Sequence, residues 1–268
     1  MLLDVTTPSR SGYSSYTDNY GALSNKGIEL SLNTRNVNNE NFTWSTQFNI
    51  SANRNKIEKI PQEQTMGATD RGTSILREGY PVNSFFLYKQ LYVDPETGNE
   101  VYEDLDNDGL ITYADRQIVG KALPDYTGGL TNTLTYKDFE LNAFFYFTVG
   151  NDLLNMREFF LVHGGRMGGI GFVPRQLERW QKPGDITDVP RLTTYSGNPN
   201  ENGGPANNYG GQVSNLSTRY LEDGSFLRLK NLALSYNFSS PVISRLKVER
   251  LKVTLSATNL WTLTNYSG

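Results

Sequence analysis

The chain has 268 residues, a formal net charge of −3, 20% charged and 12% aromatic residues, and no cysteine. Without a basic excess it lacks the electrostatic footprint of a nucleic-acid binder. Without thiols it excludes disulfide staples, thiolate metal sites and cysteine nucleophiles. The length fits one large domain or two small ones. No run approaches the ~20 apolar residues of a membrane helix, and residues 1–8 show neither the basic start nor the apolar stretch of a signal peptide. Membrane β-barrels stay open, because their alternating strands average out to polar.

The first elements are two alternating runs. Ile28, Leu30 and Leu32 alternate with Glu29, Ser31 and Asn33. In 42–52, Phe42, Trp44, Phe48, Ile50 and Ala52 fall on one face, and Thr43, Ser45, Gln47, Asn49 and Ser51 on the other. A period of two over such lengths predicts strands with one apolar side, and the Asn-rich link 36–41 makes them a hairpin. A second hairpin is predicted from Leu130, Leu134 and Tyr136, through Lys137-Asp138, to Phe139, Leu141, Ala143, Phe145, Phe147 and Val149. A third joins Leu227–Phe238 to Leu251–Thr258 across 239–249, with a phase slip at Lys230-Asn231 that predicts a bulge.

The connections between hairpins are long. Residues 57–124 hold an apolar stretch, Phe85–Val93, and a turn at Asp94–Asn99. Residues 151–224 hold predicted helices around Leu153–Val162 and Pro174–Trp180, then a Gly/Asn/Pro-rich tract, Ser196–Gly211. Short and long connections alternate strictly. Short turns on one rim and long loops on the other are the layout of an outer-membrane barrel. Parity then places Phe85–Val93 outside the wall, since one extra crossing would break the alternation. Six crossing strands result.

The most chemically specific stretch is 104–115. Asp104, Asp106 and Asp108 are two apart, Gly109 permits a sharp turn, Thr112 stands ninth and Asp115 twelfth. A hard cation takes six to eight oxygens. The spacing makes Asp104, Asp106, Asp108, the Leu110 carbonyl, Thr112 and Asp115 candidate Ca2+ ligands, acting as a static clamp; the alternative is an ion-free Asp/Asn-Gly turn.

Several short motifs resemble, in order along nearly the whole chain, the C-terminal barrel of SusC/RagA-type TonB-dependent outer-membrane transporters. They are Leu2–Ser9, Asn25–Leu30, Phe42–Ser51, Val93–Gly98 with the Asp-rich loop, Pro124–Gly129, Asp188–Leu192, Tyr220–Asn231 and Ala257–Trp261. The resemblance implies an all-β fold: antiparallel strands of a partial, open transmembrane barrel of about 22 strands in full, with long extracellular loops carrying short helices. Residues 1–268 would be the C-terminal part of that barrel, without the plug, the early strands and the last strand, hence a fragment. It also implies a Gram-negative outer-membrane location and import of glycans or peptides driven through TonB. The implied partners are a SusD-like surface lipoprotein, the TonB complex, the oligosaccharide or peptide substrate and membrane lipid.

Other readings are weaker. His163, the single histidine, has no nucleophile elbow and reads as a loop residue; Gly164–Gly171 lacks the Lys-Ser/Thr ending of a phosphate loop. Asp185/Asp188 and Glu222/Asp223 would be the carboxylate pairs of a glycoside hydrolase. Tyr195, Tyr209 and Tyr220 would suit a sugar-facing surface. No catalytic residue is assigned. The alternative to a transporter wall is a soluble, calcium-stabilised, all-β carbohydrate-binding module on the cell surface. It would bury Trp44, Phe145 and Leu255 in a sandwich core.

Overall fold

The computed structural model describes residues 3–6, 10, 12–13, 15–66, 72–162, 171–192, 216–238, 248 and 250–268. In chain order, β1 (Leu3–Thr6) and β2 (Ser15–Asp18) form a small ribbon. β3 (Ala22–Asn38) and β4 (Phe42–Lys59) form the longest hairpin. The first long connection carries β5 (Gln64–Met66), β6 (Ser74–Leu76), β7 (Ser84–Tyr88), β8 (Gln90–Val93), β9 (Glu100–Tyr102) and β10 (Arg116–Lys121). β11 (Tyr126–Tyr136) and β12 (Phe139–Val149) form the second hairpin. The second connection carries β13 (Asp152–Leu154), helix α1 (Met156–Leu161) and β14 (Leu221–Asp223). β15 (Phe226–Asn237) and β16 (Lys252–Thr264) complete the chain.

Six strands make one antiparallel sheet in the order β16-β15-β12-β11-β4-β3. It does not close, so β3 and β16 are its edges. Phe85–Val93 lies outside it, as parity requires: β7 belongs to a separate sheet, β10-β7-β6-β5, and β8 pairs with β9. The turns at 39–41 and 137–138 lie on the predicted rim; 239–247 and Glu249 lie outside the described residues.

Register turns the alternation into rows. Val37, Trp44, Leu134, Leu141, Leu234 and Leu255 stand side by side across all six strands. So do Leu32, Phe48, Leu130, Phe145, Leu229 and Trp261. On the other face a matching row reads Asn38, Thr43, Thr135, Glu140, Ser235 and Thr254. Nearest the short turns, Phe42, Tyr136, Phe139 and Tyr236 form an aromatic row, with the Phe139 and Tyr236 rings 4.7 Å apart. Gly128 sits where a Cβ would come within 2.5 Å of the Phe147 ring; its absence lets Phe147 lie over the strand toward Phe48, centroids 6.5 Å apart.

The predicted slip at Lys230-Asn231 is a bulge. Phe144 and Phe145 pair with Asn231 and Leu229, skipping Lys230, and β16 answers with Asn259 at φ 53°. Without that extra residue, every apolar side chain beyond it would change face. One polar break interrupts the apolar rows and is internally satisfied. Thr34 Oγ1 donates to Asn36 Oδ1 (2.9 Å), and Asn36 Nδ2 to Thr46 Oγ1 (2.7 Å). Thr46 Oγ1 and Trp44 Nε1 both donate to Asn132 Oδ1, at 2.8 and 2.9 Å.

Two helix predictions need correction. Residues 152–154 pair as a strand with β14, so α1 starts only at Met156, where Asn155 caps it by accepting the Glu158 N–H. Pro174–Glu178 is a 3-10 turn, and the chain is extended again at Arg179. Both segments are docked pieces of a loop layer, where packing overrides weak helical periodicity.

Candidate functional site

The two long connections build one assembly on the rim opposite the short turns. Its cores are small. Ile57, at the end of β4, is buried with Ile60 and Leu76. Leu87, Phe159, Leu216 and Tyr220 form a second core that joins both connections. Two polar clasps reinforce the join. Arg219 and Glu100, 119 positions apart, form a buried ion pair at 3.0 Å, and Tyr102 Oη donates to the other Glu100 oxygen at 2.6 Å. The second clasp is Trp180, whose Nε1 donates to the Pro95 carbonyl at 2.7 Å while its ring covers Gly98. Gly98 has φ +69°, and a Cβ there would meet the Trp180 ring at 2.5 Å. Arg191 closes the clasp, its N–H donating to the Gly98 carbonyl and its Nε to Asn99 Oδ1. Sequence reading marked the 94–99 turn but neither clasp. Gly98 alone carried a signal for one of them, as a glycine ending a turn.

Asp94 anchors that turn by accepting from Thr97 Oγ1 (2.7 Å) and the Glu96 N–H (2.9 Å). These hydrogen bonds, the Thr97 hydroxyl first, hold its carboxyl below the usual carboxylate range.

The structure divides the predicted cation ligands. Asp104, Asp106 and Asp108 bring carboxylate oxygens within 4.8 Å of one another. Asp104 also winds the loop, accepting the N–H groups of Asn107 (2.7 Å) and Gly109 (2.9 Å). Asp115 is not brought to the cluster. It is buried, its two oxygens accept the N–H groups of Leu105 and Thr112, and Thr112 in turn caps Ala114. Leu110 is exposed, and its N–H donates to Asp108. The Asp108 N–H pulls the Asp106 pKa down. Desolvation, the Asp108 and Asp115 charges and a hydrogen bond shared with Asp104 outweigh it, so the Asp106 carboxyl stands above its ordinary value.

The carboxylate pairs considered for hydrolysis have structural employment. Asp185 accepts the Gln181 and Lys182 N–H groups, and Asp188 pairs with Arg175 at 2.5 Å. Glu222 ties α1 to the chain's last residues, accepting from Asn155 Nδ2 and from Ser267 N and Oγ. Asp223 accepts the Ser225 N–H. His163, Gly164–Ile170, Tyr195, Tyr209 and Ser196–Gly211 lie outside the described residues. Among the described residues no sandwich core forms over the wall strands: Trp44 is 38% and Leu255 76% exposed, and Phe145 is half-buried.

No family model matches the chain. Among curated proteins it is 36% identical to TonB-dependent receptor P3 of Formosa agariphila, over all of this chain and 27% of that protein. It is 28% identical to TonB-dependent receptor SusC of Bacteroides thetaiotaomicron, over 84% of this chain and 21% of that protein. Among solved structures, the RagAB peptide transporter matches with a TM-score of 0.82 and 28% identity, covering all of this chain and 29% of that one. The chain thus spans somewhat over a quarter of the curated receptor P3. It has the sequence and the fold of a segment of the SusC/RagA-type TonB-dependent receptors.

Proposed function

We propose that the chain supplies six adjacent wall strands and two extracellular loops of a TonB-dependent importer in the outer membrane of a Gram-negative bacterium. One observation carries this reading: an uncovered face of apolar rows on one side of the sheet, in register across all six strands, against a polar row on the other. Lipid meets the first face and the lumen lies at Thr43, Gln47, Asn49, Glu140 and Asn142. Residues 1–268 are in this reading the C-terminal part of the barrel. The segment contributes no catalytic group. The name of one solved neighbour, the RagAB peptide transporter, supports peptides as cargo; glycans as the alternative cargo, and a SusD-like lipoprotein as lid over the loop assembly, follow from the family resemblance.

The test is uptake by cells carrying or lacking the full-length transporter, with labelled oligosaccharides and oligopeptides, with and without functional TonB. Loss of uptake of one class on either deletion is the expected result. Unchanged uptake of both, with the protein outside the outer-membrane fraction, would sink the proposal.

The Asp104–Asp108 loop is proposed as a calcium clamp within the first extracellular loop. Three converging carboxylates, one with a raised pKa, support it, because a cation would relieve their repulsion. Asp115 fastens the loop through the Leu105 and Thr112 N–H groups. Calorimetric titration of the intact transporter should give calcium heat that Asp106→Ala abolishes; no heat in the unaltered protein removes the ion.

A further inference from the structure

The outward face changes character where β3 and β4 rise past the apolar rows. Ile28 and Ala52 are the last apolar pair; the next outward pair is Lys26 opposite Arg54, and Lys56 follows opposite Ser24. All three cations are exposed. Like charges directly opposite each other on neighbouring strands are destabilising unless an anion lies between them. One carboxylate lies among the three cations: Glu58 pairs with Lys56 at 3.0 Å and accepts from Ser24 Oγ at 2.7 Å, so a net positive charge is left on this face. The inward side of the same stretch is covered by the loop assembly, Ile57 by Ile60 and Leu76, and Asn55 by the Val82 N–H. A strand added at the β3 edge would pair through its backbone and leave this outward face open.

Height places the cations. Ten residues separate Phe42, in the aromatic row, from Ala52. At ~3.4 Å per residue and ~45° of tilt they rise roughly 24 Å, close to the ~25 Å apolar band of a membrane barrel. Lys26 and Arg54 therefore stand at the outer headgroup level.

We propose that Lys26, Arg54 and Lys56 dock the phosphorylated headgroup of an outer-leaflet glycolipid of the lipid A class, with its acyl chains against Ile28, Leu30 and Leu32. The inference rests on the outer-membrane reading above. A lipid phosphate fits better than a free one because the cations continue an apolar face. An amphiphile satisfies both at once, whereas a free anion meets only three solvated side chains.

The test uses the full-length transporter extracted from outer membranes, its barrel verified by heat-modifiable migration. Binding is followed by native mass spectrometry with phosphorylated lipid A, dephosphorylated lipid A, and inorganic phosphate as competitor. Each cation near an anionic lipid surface contributes roughly a factor of five, so K26Q/R54Q/K56Q should bind phosphorylated lipid A about a hundredfold more weakly. K26Q alone, which keeps the proposal testable if the triple variant does not fold, should lose about fivefold. Unaltered binding by the variants, or equal binding of dephosphorylated lipid A, overturns the proposal. Full displacement by millimolar inorganic phosphate assigns a free-anion site instead, and a changed oligomeric state without lost lipid assigns a contact between copies. A wild-type protein that forms no membrane barrel fails the outer-membrane reading itself, which these arms separate from failure of the lipid site.

Discussion

At the scale of single residues, the loop assembly depends on a few side chains that replace a large core. Gly98 is the sharpest case. Its φ of +69° is costly for any L side chain, and an added methyl would strike the Trp180 ring. Gly98→Ala should cost the clasp about 1–3 kcal/mol. Amide exchange should accelerate over 94–99 and 171–192 while the melting of the barrel wall stays unchanged; equal protection in both proteins would show that the clasp does not hold these loops. Asp94, four positions earlier, makes the same turn pH-dependent. Its folded pKa lies below the unfolded value, so its contribution is present above the ordinary Asp pKa of about 3.9 and is lost as pH falls through the lower folded value. Exchange protection of Glu96 and Thr97 should be flat from neutral pH to about 5 and fall only below about 4; loss near neutrality would assign the turn's stability elsewhere.

At the scale of strands, the two faces of the wall should respond oppositely to charge. Phe145 stands mid-band in the Leu32–Trp261 row, and Asn142, on the same strand, faces the polar side between Thr133 and Ala233. Phe145→Lys in the full-length protein should destabilise the barrel by about 2–4 kcal/mol, and Asn142→Lys by little. Unfolding in lipid vesicles measures both; equal losses would mean that the faces are misassigned. This two-faced pattern was legible in sequence because period two survives every local variation, and the Lys230 bulge was legible because it breaks that period. The strand ends were not. Alternation of apolar residues begins at Ile28 and ends at Ala52, yet pairing runs from Ala22 to Lys59, since above the apolar band β3 and β4 keep their hydrogen bonds with polar side chains outward. The loop layer was the least legible part. Arg219 finds Glu100, and Trp180 finds Gly98, through chain separations that no local pattern encodes. The Asp-rich loop was half legible: spacing located Asp104, Asp106 and Asp108 together, whereas the turn of Asp115 toward backbone N–H groups follows from a cap at Thr112 that competes for the same carboxylate.

At the scale of the whole molecule, the six strands are a wall rather than a self-sufficient body. β3 and β16 leave their outer backbone groups unpaired within the sheet, and open edges of that length template association with other chains. Ile28 is 78% exposed, and Leu30, Leu32, Val253, Leu255 and Leu263 stand open beside it on the same two edges. Contiguous apolar surface on that scale does not stay in water. Neither the small loop cores nor the two clasps can cover it, because they lie at one rim. The 268-residue segment expressed alone should therefore aggregate, or require detergent to remain dispersed. Light scattering of the purified segment with and without detergent decides the point. A monodisperse monomer in plain buffer would mean that some other element covers the apolar rows, and the lipid-facing assignment of Ile28, Phe145 and Leu255 would fall with it.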